Sequence, residues 1–227
     1  MLLSFENVSF SYPGSAEVLK DISFSIDRGE KVALLGLNGA GKSTLMLHTN
    51  GLLIPSKGNV WVKGMNTKSK SVNEIRKTVG IVFQEADDQL FMPTVYDDVA
   101  FGPRNMKLSQ EEVERRVHRA LELTNTEDLA QRSPFELSGG QKKSVSIATV
   151  LSMNPELIVF DEPTSSLDYI AVKNFIDIIK SLPQSILLST HDLELAKQLC
   201  HRAIILEEGK IIKDTTEIKE LINFFNI

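Results

Sequence analysis

Apolar and polar positions alternate over the first thirty residues, with Leu3 and Phe5 followed later by Ile22, Phe24 and Ile26. A period of two predicts strands, and Tyr12-Pro13-Gly14 reads as the turn between them. Further along, the alternation gives way to short, mostly apolar runs. Lys31 to Leu35 stops at Gly36, Leu157 to Phe160 stops at Asp161, and Ser185 to Ser189 stops just before Thr190-His191. Such runs, separated by helix-length segments, predict parallel strands covered on both faces in an α/β core.

Between Gln84 and Asn154 the pattern turns helical. Ser109-Gln110-Glu111-Glu112 has the form of a capping box, in which the serine hydroxyl and the glutamate carboxylate each satisfy an orphan amide. Val113, Val117, Ala120 and Leu121 then share one helical face. A helical insertion lodged in the α/β core is the expectation. The tail from Thr216 to Ile227 reads as a short terminal helix with Leu221, Phe224 and Phe225 on its packing face. There is no internal repeat, low-complexity stretch or long linker.

The 227 residues suit one large domain, or a domain with a small subdomain. A net charge of -5 gives no general electrostatic help towards nucleic acid or an anionic membrane, so no nucleic-acid partner is expected. The single cysteine, Cys200, precludes an internal disulfide and reads as a small, partly buried apolar residue in a reducing compartment. The opening Met1 to Glu6 lacks a basic region followed by an apolar run, so no signal peptide is expected. No stretch is long and apolar enough to span a bilayer, so any membrane role needs other chains. His48, His118 and His201 lack metal-ligand spacing and read as structural or surface residues.

Chemistry enters at Gly36-Leu37-Asn38-Gly39-Ala40-Gly41-Lys42-Ser43, a P-loop pattern followed by Thr44, with an apolar strand before it and a helical run after it. Glycines there let successive backbone amides turn inward around phosphate oxygens, aided by the start of the helix. Lys42 is positioned to reach β- and γ-phosphates, and Ser43 to ligate Mg²⁺. Asp161-Glu162 closes a buried strand and is delivered to the same rim, where ligands of open parallel sheets bind. Asp161 is the expected Mg²⁺ ligand and Glu162 the group that orients and deprotonates water. ATP with Mg²⁺ is therefore the expected substrate complex.

Leu137-Ser138-Gly139-Gly140-Gln141 completes the set. With the P-loop and the Asp-Glu pair, in this order, it resembles the signature of ATP-binding-cassette (ABC) ATPases. Ser138, Gly139, Gly140 and Gln141 open another helix and so make a second anion site on a chain that needs only one. The economical explanation is that this site caps nucleotide held by another copy, gluing two subunits across a two-fold axis.

The resemblance runs from end to end and implies a P-loop NTPase core with a mixed, largely parallel sheet, an antiparallel β subdomain, and a helical subdomain bearing the signature. Its boundaries would be 1–84 with 155–227 for the core and β subdomain, and 85–154 for the helical part. It further implies adenine stacking by Tyr12, contact of Gln84 with Mg²⁺ and water, a D-loop at Ser165-Ser166-Leu167-Asp168 that links two active sites, and a γ-phosphate switch at His191.

The stretch from Gln84 through Glu85-Ala86-Asp87-Asp88-Gln89-Leu90-Phe91 to Pro103 is similar to ATPase subunits of energy-coupling-factor importers, particularly the cobalt and nickel type. His48-Thr49-Asn50-Gly51-Leu52-Leu53 points the same way. That implies a homodimer or a heterodimer with a paralogous ATPase at the cytoplasmic face of the membrane, docked on integral membrane subunits through the segment after Gln84. Vitamin importers use related ATPases and remain an alternative cargo class. Two positions depart from the pattern: Glu85-Ala86 stands where Asn-Pro is expected, and Ser144 where arginine is common. A P-loop small-molecule kinase would leave the signature unexplained, a nucleic-acid-handling cassette usually carries a coiled-coil insertion or a second cassette, and a non-catalytic module would be expected to lack Glu162.

Overall fold

The structure, a computed structural model, describes residues 1–165, 167–218 and 221. The alternating segment forms β1 (Leu3–Ser11) and β2 (Glu17–Ile26), and the next apolar run forms β3 (Lys31–Leu35). α1 (Lys42–His48) follows, then β4 (Lys57–Val62), β5 (Met65–Asn66), α2 (Val72–Thr78) and β6 (Val79–Val82). The helical stretch holds α3 (Val95–Asn105), α4 (Gln110–Thr124) and α5 (Gly139–Leu151), joined by 3-10 turns. β7 (Leu157–Phe160), α6 (Tyr169–Ser181), β8 (Ser185–Thr190), α7 (Leu193–Leu199), β9 (Arg202–Glu207) and β10 (Lys210–Thr215) complete the described chain.

The strands make two sheets. One is antiparallel in the order β2-β1-β4-β5. Its β1–β2 register pairs Phe5 with Phe24, whose rings stack 4.7 Å apart. The other runs β10-β9-β3-β8-β7-β6 and is parallel except for the β9–β10 hairpin.

The continuous apolar runs are explained by two-sided burial. Val32, Leu34, Leu157, Val159, Leu187 and Ile204 enter one core, shared with the antiparallel sheet and with Leu45 and Met46 of α1. Their alternate neighbours Ala33, Leu35, Ile158, Phe160, Ile186, Leu188 and Ala203 enter a second core, built with α3 to α7. A strand in a covered parallel sheet must satisfy both faces, so every position reads apolar. All five parallel strands then end at one rim, and the chemical motifs follow directly from them.

Some boundaries move: α1 starts within the loop pattern, at Lys42, and β8 extends to Thr190. One expectation is corrected. Ser109 caps α4 by accepting from the Glu112 amide, but the Glu112 carboxylate does not complete a capping box. It instead binds the guanidinium groups of Arg115 and Arg116 at 2.7 Å. Three charge-assisted bonds from two arginines outcompete one neutral amide, and they hold the Glu112 pKa down at about 2. The reciprocal capping box occurs at Ser138 and Gln141. The expected terminal helix, with Phe224 and Phe225, falls largely outside the described residues.

Candidate active site

The P-loop is shaped by glycine at two left-handed positions, Gly39 (φ +83°) and Gly41 (φ +104°). A Cβ at Gly41 would lie 3.1 Å from the Leu19 side chain and 3.2 Å from the Val18 carbonyl. Gly41 also precedes α1 without any side-chain cap, so the first amides of the helix are left for a ligand. A cleft of about 570 Å³ opens over this loop. Asn38, Gly39, Gly41, Lys42, Ser43 and Thr44 line one wall, and Gln84, Glu162, Ser165 and His191 face them. Residues as far apart in sequence as Asn38 and His191 converge because β3, β6, β7 and β8 end side by side.

Lys42 is buried, and its Nζ donates to the loop's own carbonyls, Gly36 at 2.7 Å and Leu37 at 3.3 Å. The same Nζ lies 3.1 Å from Glu162 Oε1, an ion pair in which that oxygen has no hydrogen-bond donor among the described residues. Glu162 Oε2 sits 3.0 Å from His191 Nδ1. One buried carboxylate is thus held between the P-loop lysine and an exposed histidine. Glu162 also adopts φ +40°, a conformation that non-glycine residues seldom occupy. Ser165 stabilises the turn, both its amide and its hydroxyl donating to the Glu162 carbonyl.

Asp161 lies beneath this layer at 9 % exposure, and its amide donates to the Val82 carbonyl. Ser189, fully buried at the end of β8, was not anticipated. Its hydroxyl donates to Asp161 Oδ1 at 2.7 Å and accepts from the Glu162 amide at 2.8 Å. A single side chain therefore ties the Asp161 carboxylate to the backbone that carries Glu162. The sequence signal available was a hydroxyl at the last turn of a buried apolar strand.

Other expected residues stand at the margins. Gly36 and Ala40 lie behind the loop, where a Cβ on Gly36 would meet the Leu206 carbonyl at 2.3 Å. Tyr12 is not among the lining residues, but its hydroxyl reaches Thr44 Oγ1 at 3.2 Å and its ring packs edge-on against Phe10. Phe10 in turn packs against His48, whose imidazole is buried and pushed towards its neutral form by that burial. Asp168 caps α6 through the Ala171 amide.

Ser138, Gly139, Gly140 and Gln141 do not line the cleft. Their helix start is ordered by the Ser138–Gln141 capping box, with Ser138 and Gly139 exposed. Gly140 has an internal reason to be glycine: a Cβ there would lie 2.9 Å from Ala171 of α6. Gly139 has none, since a Cβ would meet nothing within 4 Å among the described residues.

A second unanticipated residue is Lys143 of α5, only 4 % exposed. Its Nζ donates to the carbonyls of Phe83 at 3.0 Å and Gln84 at 2.6 Å. Burial lowers its pKa, and the Glu85 and Asp161 carboxylates oppose that shift. It falls on the buried helical face with Ser146, Ile147 and Val150, which made it legible as a charged residue in an apolar stripe.

The family model for ABC transporters matches residues 19–165. The chain belongs to the ABC transporter family. It is the ATP-binding, ATP-hydrolysing kind of subunit. It is 46% identical over 213 residues to a putative ABC transporter ATP-binding protein of Geobacter sulfurreducens, covering 94% of this chain and 86% of that one. It is 47% identical over 220 residues to an energy-coupling factor transporter ATP-binding protein, EcfA, of Methanocaldococcus jannaschii, covering 95% and 79%. Among solved structures it is similar to cbiO1 of Clostridium perfringens, part of the ABC transporter complex cbiONQ, with 38% identity, a TM-score of 0.87, and coverage of 98% and 90%. A dimeric ATP-binding cassette in a post-hydrolysis state with ADP and Pi aligns at 28% identity and a TM-score of 0.82, covering 94% and 98%. Among the described residues of this ABC ATPase, no helix is long and apolar enough to cross a membrane.

Proposed function

We propose that this ABC ATPase powers an energy-coupling-factor type importer, that it works as a dimer at the cytoplasmic face of the membrane, and that its cargo is a transition metal ion, cobalt or nickel. The dimer reading rests on one observation above all. A chain with a complete phosphate cradle also carries a second exposed helix start at Ser138, away from its own cleft, with a glycine at 139 that no neighbour among the described residues requires. Close approach by a ligand held on another subunit explains both. Residues 1–84 and 155–227 form the nucleotide-binding core, and 85–154 the helical unit that presents Ser138, Gly139, Gly140 and Gln141 to the opposite nucleotide.

The proposed roles combine the family resemblance with the geometry of the cleft. Loop amides from Asn38 to Thr44 and the Lys42 ammonium hold the β- and γ-phosphates, with Tyr12 beside the base. Ser43, Asp161 and Gln84 hold Mg²⁺; the Ser43 hydroxyl is exposed and has no partner among the described residues, and Asp161 is fixed by Ser189. When bound, the cation neutralises phosphate charge. The Glu162 carboxylate accepts a proton as the water oxygen bonds to the γ-phosphorus and the bond to ADP breaks. His191 fixes the carboxylate through Oε2 and senses the γ-phosphate, while Ser165 and Asp168 shape the turn that faces the second site.

The importer class is supported by the EcfA-named relatives, by the cbiONQ neighbour, and by a groove of about 330 Å³ beside the Gln84 segment. Phe83, Gln89, Phe91, Asp98 and Phe101 line it, and the exposed rings of Phe91 and Phe101 meet edge-on at 5.0 Å. A helix from an integral membrane subunit docks there. Tyr96 of the same segment lies outside the groove and packs against the helical core.

Co²⁺ and Ni²⁺ accumulation in cells producing the whole transporter tests the reading. Native protein should accumulate metal. Glu162→Gln should keep ATP binding and lose turnover by about a hundredfold or more, with loss of accumulation. ATP turnover without metal uptake would move the cargo to a vitamin, and near-native turnover of Glu162→Gln would remove Glu162 from the chemistry.

A further inference from the structure

Between α5 and the segment from Phe83 to Gln89 lies a dense set of polar contacts. Lys143 donates to the Phe83 and Gln84 carbonyls. Lys142 pairs with Asp87 at 2.6 Å. The Gln89 amide accepts from the Phe83 amide and donates to the Ser146 carbonyl and Thr149 hydroxyl, both on α5. The Lys142 pair is solvated on its acidic side and contributes little. Lys143 differs because its ammonium is withdrawn from water, where an unpartnered charge is costly. Its reward is two carbonyls, one of them belonging to Gln84 itself.

We propose that Lys143 is a positioning residue that ties the helix starting at Ser138 to Gln84, so that docking of α5 on the partner's nucleotide sets the place of Gln84 at the subunit's own. This rests on the reading of Ser138 to Gln141 as a site for the opposite nucleotide. A compact ammonium on a four-carbon stem suits the task, because it can follow two carbonyls of an irregular loop without a fixed fork. The Glu85 carboxylate lies close enough to favour that charge, which gives the unexpected acid at 85 a part in the same tie. Docking at one nucleotide moves α5, Lys143 carries Phe83 and Gln84 with it, and the second site becomes competent only when the first is engaged.

The test compares the complete native transporter with Lys143→Met, which removes the donors, and Lys143→Arg, which keeps the charge. ATP affinity, kcat and the Hill coefficient of hydrolysis are measured for each. Lys143→Met should lower kcat about tenfold or more, leave ATP affinity within about twofold, and bring the Hill coefficient from about two towards one. Lys143→Arg should recover part of both. If Lys143→Met does not fold, Lys143→Gln, which retains an amide donor, should fold with an intermediate kcat and a reduced Hill coefficient. Native kcat and cooperativity in Lys143→Met would overturn the proposal, as would losses that merely track the folded fraction with cooperativity intact. A native protein with a Hill coefficient of one and no ATP-dependent dimer would overturn the underlying dimer reading as well. Native cooperativity with an indifferent Lys143 removes this proposal alone.

Discussion

At the scale of single residues, the site is a stack of constraints on Glu162. Its carboxylate is shared by Lys42 and His191, its carbonyl is held by Ser165, and its amide is satisfied by Ser189. The strained φ of +40° persists because these contacts over-determine it. Ser189→Ala should therefore act twice. It leaves a buried amide and an aspartate oxygen without their partner, costing about 1–3 kcal/mol in urea unfolding. It also loosens both carboxylates, so kcat should fall while ATP affinity holds. Unchanged unfolding and unchanged kcat would show that the bridge carries no weight. The P-loop, the Asp161-Glu162 pair and Ser138 to Gln141 were legible in the sequence because each is a local string whose spacing carries its chemistry. Ser189 was not, because its partners lie 27 and 28 positions away and meet it only through the pairing of β7 with β8.

At the scale of elements, short apolar runs were enough to place β3, β7 and β8, since two-sided burial leaves no polar interruptions. The misreading of Ser109 to Glu112 shows the limit of local rules: Arg115 and Arg116 on the next turn took the carboxylate. The β9–β10 hairpin was not singled out because exposed Lys210, Ile212 and Asp214 break the apolar pattern. Packing between elements was equally hidden. Gly80 of β6 admits α5 so closely that a Cβ would lie 2.4 Å from Val150 Cγ1. Gly80→Ala should destabilise by about 1–3 kcal/mol, because strand and helix backbones cannot both hold their places. Val150→Ala in the same chain should recover part of that loss. A double-mutant cycle from denaturant unfolding measures the coupling, and strict additivity would refute direct contact between the two positions.

At the scale of the whole molecule, α5 connects four functions: its first turn faces outward, Lys143 holds Gln84, Gln89 braces against Ser146 and Thr149, and Val150 lines the groove with Phe101. The proposed chemistry in the cleft and the proposed docking in the groove share one rigid rod, and a change in the groove should affect transmission more than hydrolysis. Phe101 is the position to test, because its ring is 42 % exposed, meets Phe91, and is remote from the cleft-lining residues. Phe101→Ala should lower transport by about tenfold while ATPase activity of the isolated subunit stays within about twofold, as expected for a ring buried mainly against a partner. Tyr96→Ala supplies the contrast. Its ring packs on the helical core and carries the Arg104 guanidinium 5.8 Å from its centroid, so its loss should lower the melting temperature and both activities together. Proportional loss of transport and hydrolysis in Phe101→Ala would mean that the ring serves folding. Selective loss of transport would identify the groove as the point where the ATPase cycle leaves this chain.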